Sequence, residues 1–475
     1  MIHMTASELG QACGGRLLHG SPDAVIENVV IDSRAVVPGA CFFAIVGART
    51  NGHAYLEAAI SSGASALVVH EEPDEQAREA GVAIIEVEDT TAALQSLAAA
   101  VRKRVDPRVV AITGSIGKTS TKHFTAALLR GHWDVHSTPG NLNNHWGLPL
   151  SLLGLEEHNE VMVAELAMSS PGEIRALARI ASPQIGVITN VAPVHMEFFD
   201  SVEDVAAAKA ELAEELPPTG TLIVNAADSR TAAMASRFAP RAGRVLTFGH
   251  DVDADIRTSN AAESDAGWRF QLDITDSDPV EVLLPLTGAH TLMNFLAAAA
   301  VAHALGMTPE EIAEAALSLT FPAGRGQVVC LQDGVRIIDD SYNASPVAMM
   351  QSLDRLASLP ATGRRILAAG DMLELGTWTE DAHRDVGGHA ARRNIDVLIA
   401  VGEFAGFFAA GARTAGMAAC RISCFATAED AGSALAEDIR SGDLVLVKGS
   451  RAVHMERIIE TLRQREVMSR HVAED

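Results

Sequence analysis

Cysteine is scarce in this sequence, and its pattern excludes two kinds of site. Five cysteines occur in 475 residues, and none forms a C-x-x-C pair. No disulfide framework is expected, and a reducing cytoplasm is indicated. Cys420 and Cys424 have a spacing that would let them touch on a helix, but ligands for a metal are missing nearby. They are expected to be ordinary buried thiols.

Basic residues and long apolar segments are also in short supply. Lysine and arginine number 37 against 61 aspartates and glutamates, a net charge of -24. This charge argues against nucleic acid or an anionic membrane as a general partner. The N-terminus lacks a basic segment followed by an apolar one, so no signal peptide is expected. The longest apolar helix candidate, residues 292–305, is too short to span a bilayer. A soluble, cytoplasmic protein is expected.

The apolar residues that are present, 48% of the chain, suffice for several cores. At ~150 residues per domain, the length predicts about three domains. Residues 1–105 contain short strands and an alanine-rich helix before a proline break. Residues 106–320 alternate strands and helices in the pattern of a doubly wound, mostly parallel sheet, with an antiparallel hairpin at 268–286. Residues 321–475 form a further, smaller α/β segment that begins with a linker.

The most informative motif follows a β-branched run at residues 108–113. The next residues read Gly-Ser-Ile-Gly-Lys-Thr and lead into a predicted helix. Gly114 and Gly117 leave room for a nucleotide to approach the backbone, and the helix N-terminus favours an anion. Lys118 would lie among the phosphates, and the Thr119 hydroxyl suits Mg²⁺. The spacing is shorter than the general P-loop pattern, so a glycine turn of purely structural use is the alternative.

Polar residues follow two later strands of the same segment. Glu165 ends the run Val-Met-Val-Ala-Glu, and His195 lies just beyond another strand. Ligands gather at such strand ends in open α/β sheets, and Glu165 with Thr119 would suit Mg²⁺. Alone, either residue could be a capping or solvated group. Lys209 lies in an alanine-rich helix, where a lysine normally belongs to the solvated face.

Several motifs together resemble, in the same order, those of the Mur ligase family. The resemblance spans nearly the whole chain and is carried by residues 113–120, 139–147, 164–167, 192–197, 288–294, 339–346 and 448–451. The shorter P-loop is that family's own form. The resemblance to this family implies three domains: an N-terminal domain (1–105) for a UDP-sugar, a central ATPase (106–320), and a C-terminal Rossmann-like domain (321–475).

The resemblance also implies a reaction. The segments Gly-Asn-Leu-Asn-Asn, Asp-Ser-Tyr-Asn-Ala and Lys-Gly-Ser-Arg are similar to those of the branch that adds D-alanyl-D-alanine to a UDP-N-acetylmuramoyl-tripeptide. ATP would phosphorylate the peptide carboxylate, and the dipeptide amine would attack the acyl phosphate. The implied partners are these small molecules with ATP and two Mg²⁺; a monomer without nucleic acid or membrane insertion is expected. The alternatives are a ligase of the same fold that adds a single amino acid, and a non-enzymatic nucleotide switch.

Site residues are carried over from the family position by position. Catalytic roles are implied for Lys118, Lys209 and His195. ATP-binding residues would be Gly114, Ser115, Gly117, Lys118, Thr119, Ser120, Asn294, Arg325, Asp340 and Asn343. Metal ligands would be Thr119, Glu165, His195 and, if it is carbamylated, Lys209; an unmodified ammonium is the alternative. Substrate contacts would come from Ser33, Arg34, Asn51, His53, Asn143, Asn144, Tyr342, Lys448, Ser450 and Arg451.

Some of these residues have a competing structural explanation. Asn343 could simply form a turn. Arg34 could be a chance arginine on a surface loop, although it could also meet a diphosphate bidentately. Asn143 or Asn144 could cap a helix. His290, one helical turn before Asn294, either contacts the nucleotide or only orients its helix.

Overall fold

The computed structural model describes the backbone of residues 3–194 and 196–474, and the side chains of the same ranges apart from 333 and 466–474. In that part of the chain the strands form sheets of two, five, nine and six members. Helices cover the sheets, which makes this an α/β protein, as predicted. No helix within the described ranges is long and apolar enough to cross a membrane.

The N-terminal part is a small α/β unit around a five-stranded sheet of order β2-β7-β6-β5-β4. Its elements are β1 (Met4–Thr5), α1 (Ala6–Cys13), β2 (Arg16–His19), β3 (Val25–Ile26), β4 (Asn28–Val30), β5 (Ala40–Phe43), α2 (Leu56–Ser61), β6 (Ala66–Val69), α3 (Glu75–Glu79), β7 (Ala83–Glu86) and α4 (Thr90–Val105). Short 3-10 turns at Ser33–Ala35 and Gly52–Tyr55 follow β4 and β5.

The central part is built on the nine-stranded sheet. Its elements are β8 (Arg108–Thr113), α5 (Lys118–Leu129), β9 (Val135–Ser137), α6 (Gly147–Leu153), β10 (Val161–Glu165), α7 (Glu173–Ala181), β11 (Ile185–Ile188), α8 (Val202–Glu214), β12 (Thr221–Asn225), α9 (Ser229–Phe238), β13 (Arg244–His250), β14 (Ile256–Ser264), β15 (Gly267–Ile274), β16 (Val280–Leu284), α10 (Ala289–Ala304) and α11 (Pro309–Ala316).

The order of this sheet, β16-β15-β14-β13-β12-β11-β8-β10-β9, puts the P-loop strand β8 between β10 and β11. Strands β8 to β14 pair in parallel, whereas β14, β15 and β16 pair antiparallel. The hairpin is therefore confirmed. Strand β14 was not predicted, because only its first residues alternate in burial and the rest are small or polar and largely exposed.

Strand β8 shows why its residues form a continuous apolar run. Val109 and Ala111 pack into the core on one face of the sheet, and Val110 and Ile112 pack into the core on the other. Both faces are covered, as is usual for a parallel strand in the middle of a sheet. The residues that follow β8 are thus delivered to the carboxyl edge of the sheet from a rigid position.

The C-terminal part contains a six-stranded sheet of order β17-β18-β22-β19-β20-β21, parallel except for the edge strand β17. Its elements are β17 (Gln327–Cys330), β18 (Arg336–Asp340), α12 (Pro346–Ser358), β19 (Arg365–Gly370), α13 (Thr379–Arg392), β20 (Val397–Val401), α14 (Ala405–Thr414), β21 (Ile422–Phe425), α15 (Ala428–Asp438), β22 (Leu444–Lys448) and α16 (Glu456–Glu474). Further 3-10 turns lie at Gln332–Gly334, Gly376–Trp378, Ala419–Arg421 and Arg451–Val453.

The prediction for two cysteines is wrong. Cys420 lies in a 3-10 turn and Cys424 in β21, and both residues are exposed. Gly416, with φ of 97°, follows the end of α14 and redirects the chain, so no helix carries the two thiols together.

Helix α4 joins the N-terminal and central parts. It packs against α6 and α7, and one continuous apolar core runs across this junction. Arg102, which is buried, donates from Nε to the carbonyl of Ala181 (2.9 Å) and from Nη2 to that of Ser182 (3.0 Å), and Nη1 pairs with Asp106. A domain boundary at residue 105 therefore remains a prediction. The two parts that it would separate share one apolar core.

We expect Phe270→Ala to destabilise the central part strongly. The Phe270 ring is buried and meets Phe295 of α10 edge to face at 5.7 Å. Loss of a buried phenylalanine costs about 3–5 kcal/mol. Urea denaturation followed by circular dichroism measures the change, with the exposed Leu283→Ala on the adjacent strand as control. A cost below about 1 kcal/mol for Phe270→Ala would contradict this packing.

Candidate functional site

The turn after β8 is shaped by two glycines and by side chains from the neighbouring strand. Gly114 and Gly117 have φ of 148° and 87°, and a Cβ at Gly117 would collide with the Asn294 amide. Gly117 also begins α5 without a side-chain cap, which leaves the first backbone N–H groups of the helix to a ligand. The predicted strand at residues 108–113, the glycine turn and the helix that follows it are confirmed, with α5 beginning at Lys118.

Two polar residues at the end of β11 hold this turn and were not predicted. Thr189 Oγ1 donates to the carbonyl of Ile116 (2.6 Å), and Asn190 Oδ1 accepts from the Ile116 amide (2.9 Å). Ser115 is fixed in the same way, because its hydroxyl donates to Ala192 O and accepts from Ala192 N. The signal available in the sequence was the pair of polar residues, Thr189 and Asn190, directly after a buried strand.

Lys118 folds back over the turn. Its Nζ donates to the carbonyls of Gly114 (2.8 Å) and Ser115 (3.2 Å). Burial lowers the pKa of Lys118, although the nearby Glu165 carboxylate opposes this effect. The ammonium therefore lies where it would meet the phosphates of a bound nucleotide.

Glu165, at the end of β10, is the centre of a buried polar network. Its Oε1 accepts from Thr119 Oγ1 (3.1 Å) and from Asn143 Nδ2 (2.9 Å). Its Oε2 lies 3.2 Å from Lys122 Nζ and has no hydrogen-bond partner among the described atoms. Glu165 is only 2% exposed. A buried carboxylate oxygen beside a threonine hydroxyl fits the oxygen ligands that Mg²⁺ takes at phosphate sites.

Of the other two predicted metal ligands, His195 and Lys209, the structure describes only Lys209. His195 lies outside the described residues. Lys209, on α8, is only 2% exposed, so the expectation of a solvated lysine is wrong. Burial and the charge of Lys118 lower the pKa of Lys209 well below that of a free lysine. Its charge thus makes burial costly, and this cost is reduced if the amine is neutral or modified.

Arg325 reaches the P-loop helix from the start of the C-terminal part. Its Nη2 donates to Thr119 Oγ1 (3.3 Å), and its guanidinium lies 4.1 Å from the centre of the Tyr342 ring. Arg451 approaches the same ring at 5.9 Å, and it pairs with Glu456. Burial raises the pKa of Tyr342, so the ring stays neutral and can stack against cations.

Asp340 and Lys448 form a buried ion pair at the ends of adjacent strands β18 and β22. Lys448 Nζ donates to Asp340 Oδ2 (2.7 Å) and to the carbonyl of Asn343 (3.0 Å), and the Ser352 hydroxyl donates to Asp340. Burial opposes ionisation of Asp340, but the Lys448 ammonium outweighs it and lowers the pKa of Asp340. Asn343 Oδ1 accepts from the Ala344 amide, which agrees with a turn role.

Helix α10 supplies two residues to the same region. Asn294 is mostly buried, and its Oδ1 accepts from Thr121 Oγ1 at 3.4 Å. His290 lies one turn earlier, and burial lowers the pKa of its imidazole to about 4. His290 is therefore neutral at physiological pH and can accept or donate a hydrogen bond without carrying charge.

These groups surround one cavity of about 710 Å³ between the central and C-terminal parts. The predicted residues that line it are Ser115, Gly117, Lys118, Thr119, Ser120, Asn143, Glu165, Asn294, Arg325, Asp340, Tyr342, Asn343, Lys448, Ser450 and Arg451. Ser450 is tied down, because its hydroxyl accepts from the Leu373 amide (3.0 Å). Gly114, Asn144 and Lys209 are not among the described lining residues.

The remaining substrate residues lie elsewhere in the structure. Asn144 Oδ1 accepts from the amides of Trp146 and Gly147 and so holds the turn ahead of α6, but the N-cap residue of that helix is Trp146. Ser33 begins a 3-10 turn, and the exposed Arg34 pairs with Asp32 at 2.7 Å. The Arg34 hydrogen bonds lower the pKa of Asp32 to about 2.

His53 closes the second N-terminal loop. Its Nε2 accepts from the backbone amides of His70 (3.1 Å) and Glu71 (3.3 Å), so the proton lies on Nδ1. That proton points to Asn51 Oδ1 at 2.8 Å, and Asn51 Nδ2 donates to Glu71. Burial lowers the pKa of His53. His53 and Asn51 therefore hold the shape of this loop, whatever it binds.

The arrangement provides what phosphoryl transfer needs. A glycine turn with a helix N-terminus receives the phosphates, Lys118 and Arg325 supply positive charge, and oxygen ligands for a cation lie beside them. The cavity is large enough for a nucleotide and part of a second substrate.

Comparison with known proteins agrees with this site. Models for the Mur ligase family, catalytic domain, the Mur ligase middle domain and the Mur ligase, glutamate ligase domain match residues 25–102, 112–302 and 324–451. A Bacillus subtilis (strain 168) protein named UDP-N-acetylmuramoyl-tripeptide--D-alanyl-D-alanine ligase is 33% identical, over 97% of this chain and 99% of its own.

Solved structures give the same result. MurF from Acinetobacter baumannii superposes with a TM-score of 0.88 at 29% identity, covering 98% of this chain and 99% of its own. MurF ligase from Thermotoga maritima, solved in complex with ADP, gives a TM-score of 0.78 at 28% identity and covers 93% and 98%. Since similarity extends over the three matched domains and nearly the full length, the chain belongs to the Mur ligase family.

Proposed function

We propose that this protein is the ATP-dependent ligase that joins D-alanyl-D-alanine to UDP-N-acetylmuramoyl-tripeptide. The products are UDP-N-acetylmuramoyl-pentapeptide, ADP and phosphate, and the reaction makes a peptidoglycan precursor in the cytoplasm. The observation that carries the proposal is the convergence of Lys118, Glu165 and Arg325 on one interdomain cavity. This cavity belongs to a chain that matches ligases of that name over its whole length.

The chemistry follows from the poor reactivity of a carboxylate. An oxygen of the tripeptide carboxylate attacks the γ-phosphorus of ATP, and the bond to the ADP oxygen breaks. The dipeptide amine then attacks the carbonyl carbon of the acyl phosphate and loses a proton, and phosphate leaves with that carboxylate oxygen. Lys118 and Arg325 would offset the negative charge that gathers on the transferred group.

Magnesium fits the site through two of the residues described. The Thr119 hydroxyl and the Glu165 carboxylate lie 3.1 Å apart, and Glu165 Oε2 is buried without a hydrogen-bond partner among the described atoms. Bound there, Mg²⁺ would supply charge neutralisation at the phosphate oxygens. The protein itself positions the carboxylate, through Asn143 and Lys122.

Lys209 is proposed to be carbamylated. Addition of CO₂ to its neutral amine forms an N–C bond and releases one proton, so a carbamate anion takes the place of a buried neutral amine. The neighbouring charge of Lys118 would then become favourable to Lys209, and the carbamate oxygens could hold a second Mg²⁺.

The N-terminal loops at Arg34 and His53 are proposed to hold the UDP portion. Arg34 is exposed and pre-oriented by Asp32, which suits bidentate contact with a diphosphate. On the dipeptide side, Lys448 and Arg451 are proposed to face the free carboxylate. Lys448 is paired with Asp340 and Arg451 with Glu456, but the Lys448 side chain is buried and that of Arg451 is exposed, so Arg451 is the more available cation.

Acceptor choice tests the proposed reaction. Phosphate release from ATP with UDP-N-acetylmuramoyl-tripeptide is expected with D-alanyl-D-alanine, and is expected to stay at background with D-glutamate, diaminopimelate or lysine. Omission of the UDP-peptide is the control. Release with one of the single amino acids would favour the other ligases of this fold, and release without the UDP-peptide would favour a nucleotide switch.

Lys118→Met is expected to lower kcat/KM by about 100-fold to 1,000-fold, because a charge aimed at the transferred phosphate is lost. The matched control is Lys103→Met, at an exposed lysine on α4, which should retain activity. Steady-state phosphate release measures both variants. A fall of less than about 3-fold in Lys118→Met would remove Lys118 from the reaction.

Carbamylation of Lys209 predicts a carbamate signal in carbon-13 NMR after equilibration with labelled bicarbonate. The signal should disappear in Lys209→Ala and persist in Lys103→Met, because only a buried neutral amine is stabilised as the carbamate. A wild-type spectrum without this signal, together with a fully active Lys209→Arg variant, would contradict the modification.

A further inference from the structure

Lys122 is a buried lysine whose contacts extend beyond the Glu165 carboxylate that it helps to position. It lies on α5, one helical turn beyond Lys118 and Thr119, and is only 5% exposed. A lysine is rarely buried unless its charge is paired. Lys122 is not among the described residues that line the cavity, so it does not meet a ligand there directly.

The Lys122 ammonium contacts two other segments of the central part. Its Nζ donates to the carbonyls of Thr138 (2.9 Å) and Gly140 (2.8 Å), and it lies 3.2 Å from Oε2 of Glu165. Residues 138–143, which we call the asparagine loop, have no helix or strand of their own. Lys122 thus satisfies two backbone acceptors of an irregular segment and the charge of a buried carboxylate.

The asparagine loop in turn reaches the cavity. Asn141 and Asn143 line it, and Asn143 Nδ2 donates to Oε1 of Glu165. The same loop is tied to β10, because Thr138 Oγ1 accepts from the Glu165 amide (3.1 Å) and Asn143 O accepts from the Ala167 amide (2.9 Å). A displacement of this loop would therefore act on both oxygens of the Glu165 carboxylate.

We propose that Lys122 is a positioning residue that couples the UDP-peptide site to the ATP site, by fastening the asparagine loop and Glu165 to the P-loop helix. This inference rests on the proposed function and on the substrate contact that the family resemblance implies for Asn143. Binding of either substrate restrains the same rigid connection, so each substrate should change the affinity for the other by the same factor. Without Lys122, the loop and the helix are free to respond separately.

The test is calorimetric titration of the full chain with UDP-N-acetylmuramoyl-tripeptide, with and without a non-hydrolysable ATP analogue and Mg²⁺. In Lys122→Met we expect affinity for the UDP-peptide to fall by about 10-fold or more, as is usual when a group that orients a ligand-binding residue is lost. Affinity for the analogue should change by less than about 3-fold, and the effect of one ligand on the other should be lost.

Arg102→Met is the matched control. Arg102 is also a buried cation that donates to two backbone carbonyls and pairs with one carboxylate, but it joins α4 to the end of α7. Its loss should lower the melting temperature and leave both affinities and their coupling intact. Lys122→Arg, which keeps the charge, should recover part of the UDP-peptide affinity.

The outcomes separate the inference from the proposed function. If the wild-type chain does not bind the UDP-peptide, the proposed function fails. If it binds, and Lys122→Met keeps that affinity within about 2-fold or the two ligands are uncoupled in the wild type, the positioning role of Lys122 is overturned. Should Lys122→Met not fold, Lys122→Gln serves in its place, with the same expected loss because a neutral amide leaves Glu165 unpaired.

Discussion

The site depends on one buried carboxylate and the donors that hold it. Glu165 accepts hydrogen bonds from Thr119 on the P-loop helix and from Asn143 on the neighbouring loop. The ammonium of Lys122 offsets the charge of its carboxylate. A buried carboxylate without such partners would be too costly to keep ionised. Because its donors come from different segments, the position of Glu165 fixes the relative positions of the helix, the loop and strand β10.

The C-terminal part completes this arrangement across the cavity. Arg325 donates to the same Thr119 hydroxyl that donates to Glu165, and Tyr342 supports the arginine through its ring. The Asp340–Lys448 ion pair lies in a fixed position on this side of the cavity, because the two residues end adjacent parallel strands of one sheet. A nucleotide bound at the P-loop would thus contact both parts, and its phosphates would replace the direct contact between Arg325 and Thr119.

The sequence was most informative where structure is local. The β8–turn–α5 unit was predicted, because strand, glycine turn and helix are consecutive and each leaves its own pattern. The α/β fold followed from the alternation of elements. Strand β14 was missed because most of its residues are small or polar and do not show the alternation of apolar and polar residues that predicts a strand.

Long-range contacts were harder to foresee. Lys209 was expected on the solvated face of its helix and Lys122 was not singled out at all, but both are buried in the folded chain. The role of Asn190 was also not visible from the sequence. Its side chain accepts a hydrogen bond from the P-loop turn only because β11 pairs with β8 in the folded sheet. For Asn144 the sequence predicted a contact with substrate, whereas the structure shows a local hydrogen bond from the amide of Gly147 at the start of α6.

The proposed function depends on activation of the peptide carboxylate by phosphorylation at this cavity. This step can be followed with UDP-N-acetylmuramoyl-tripeptide that carries oxygen-18 in its terminal carboxylate, by measuring the isotope in released phosphate with mass spectrometry. Phosphoryl transfer to the carboxylate predicts one labelled oxygen in each phosphate released during turnover with D-alanyl-D-alanine. Unlabelled phosphate, with amide product formed at the same rate, would contradict transfer of the phosphoryl group to the carboxylate.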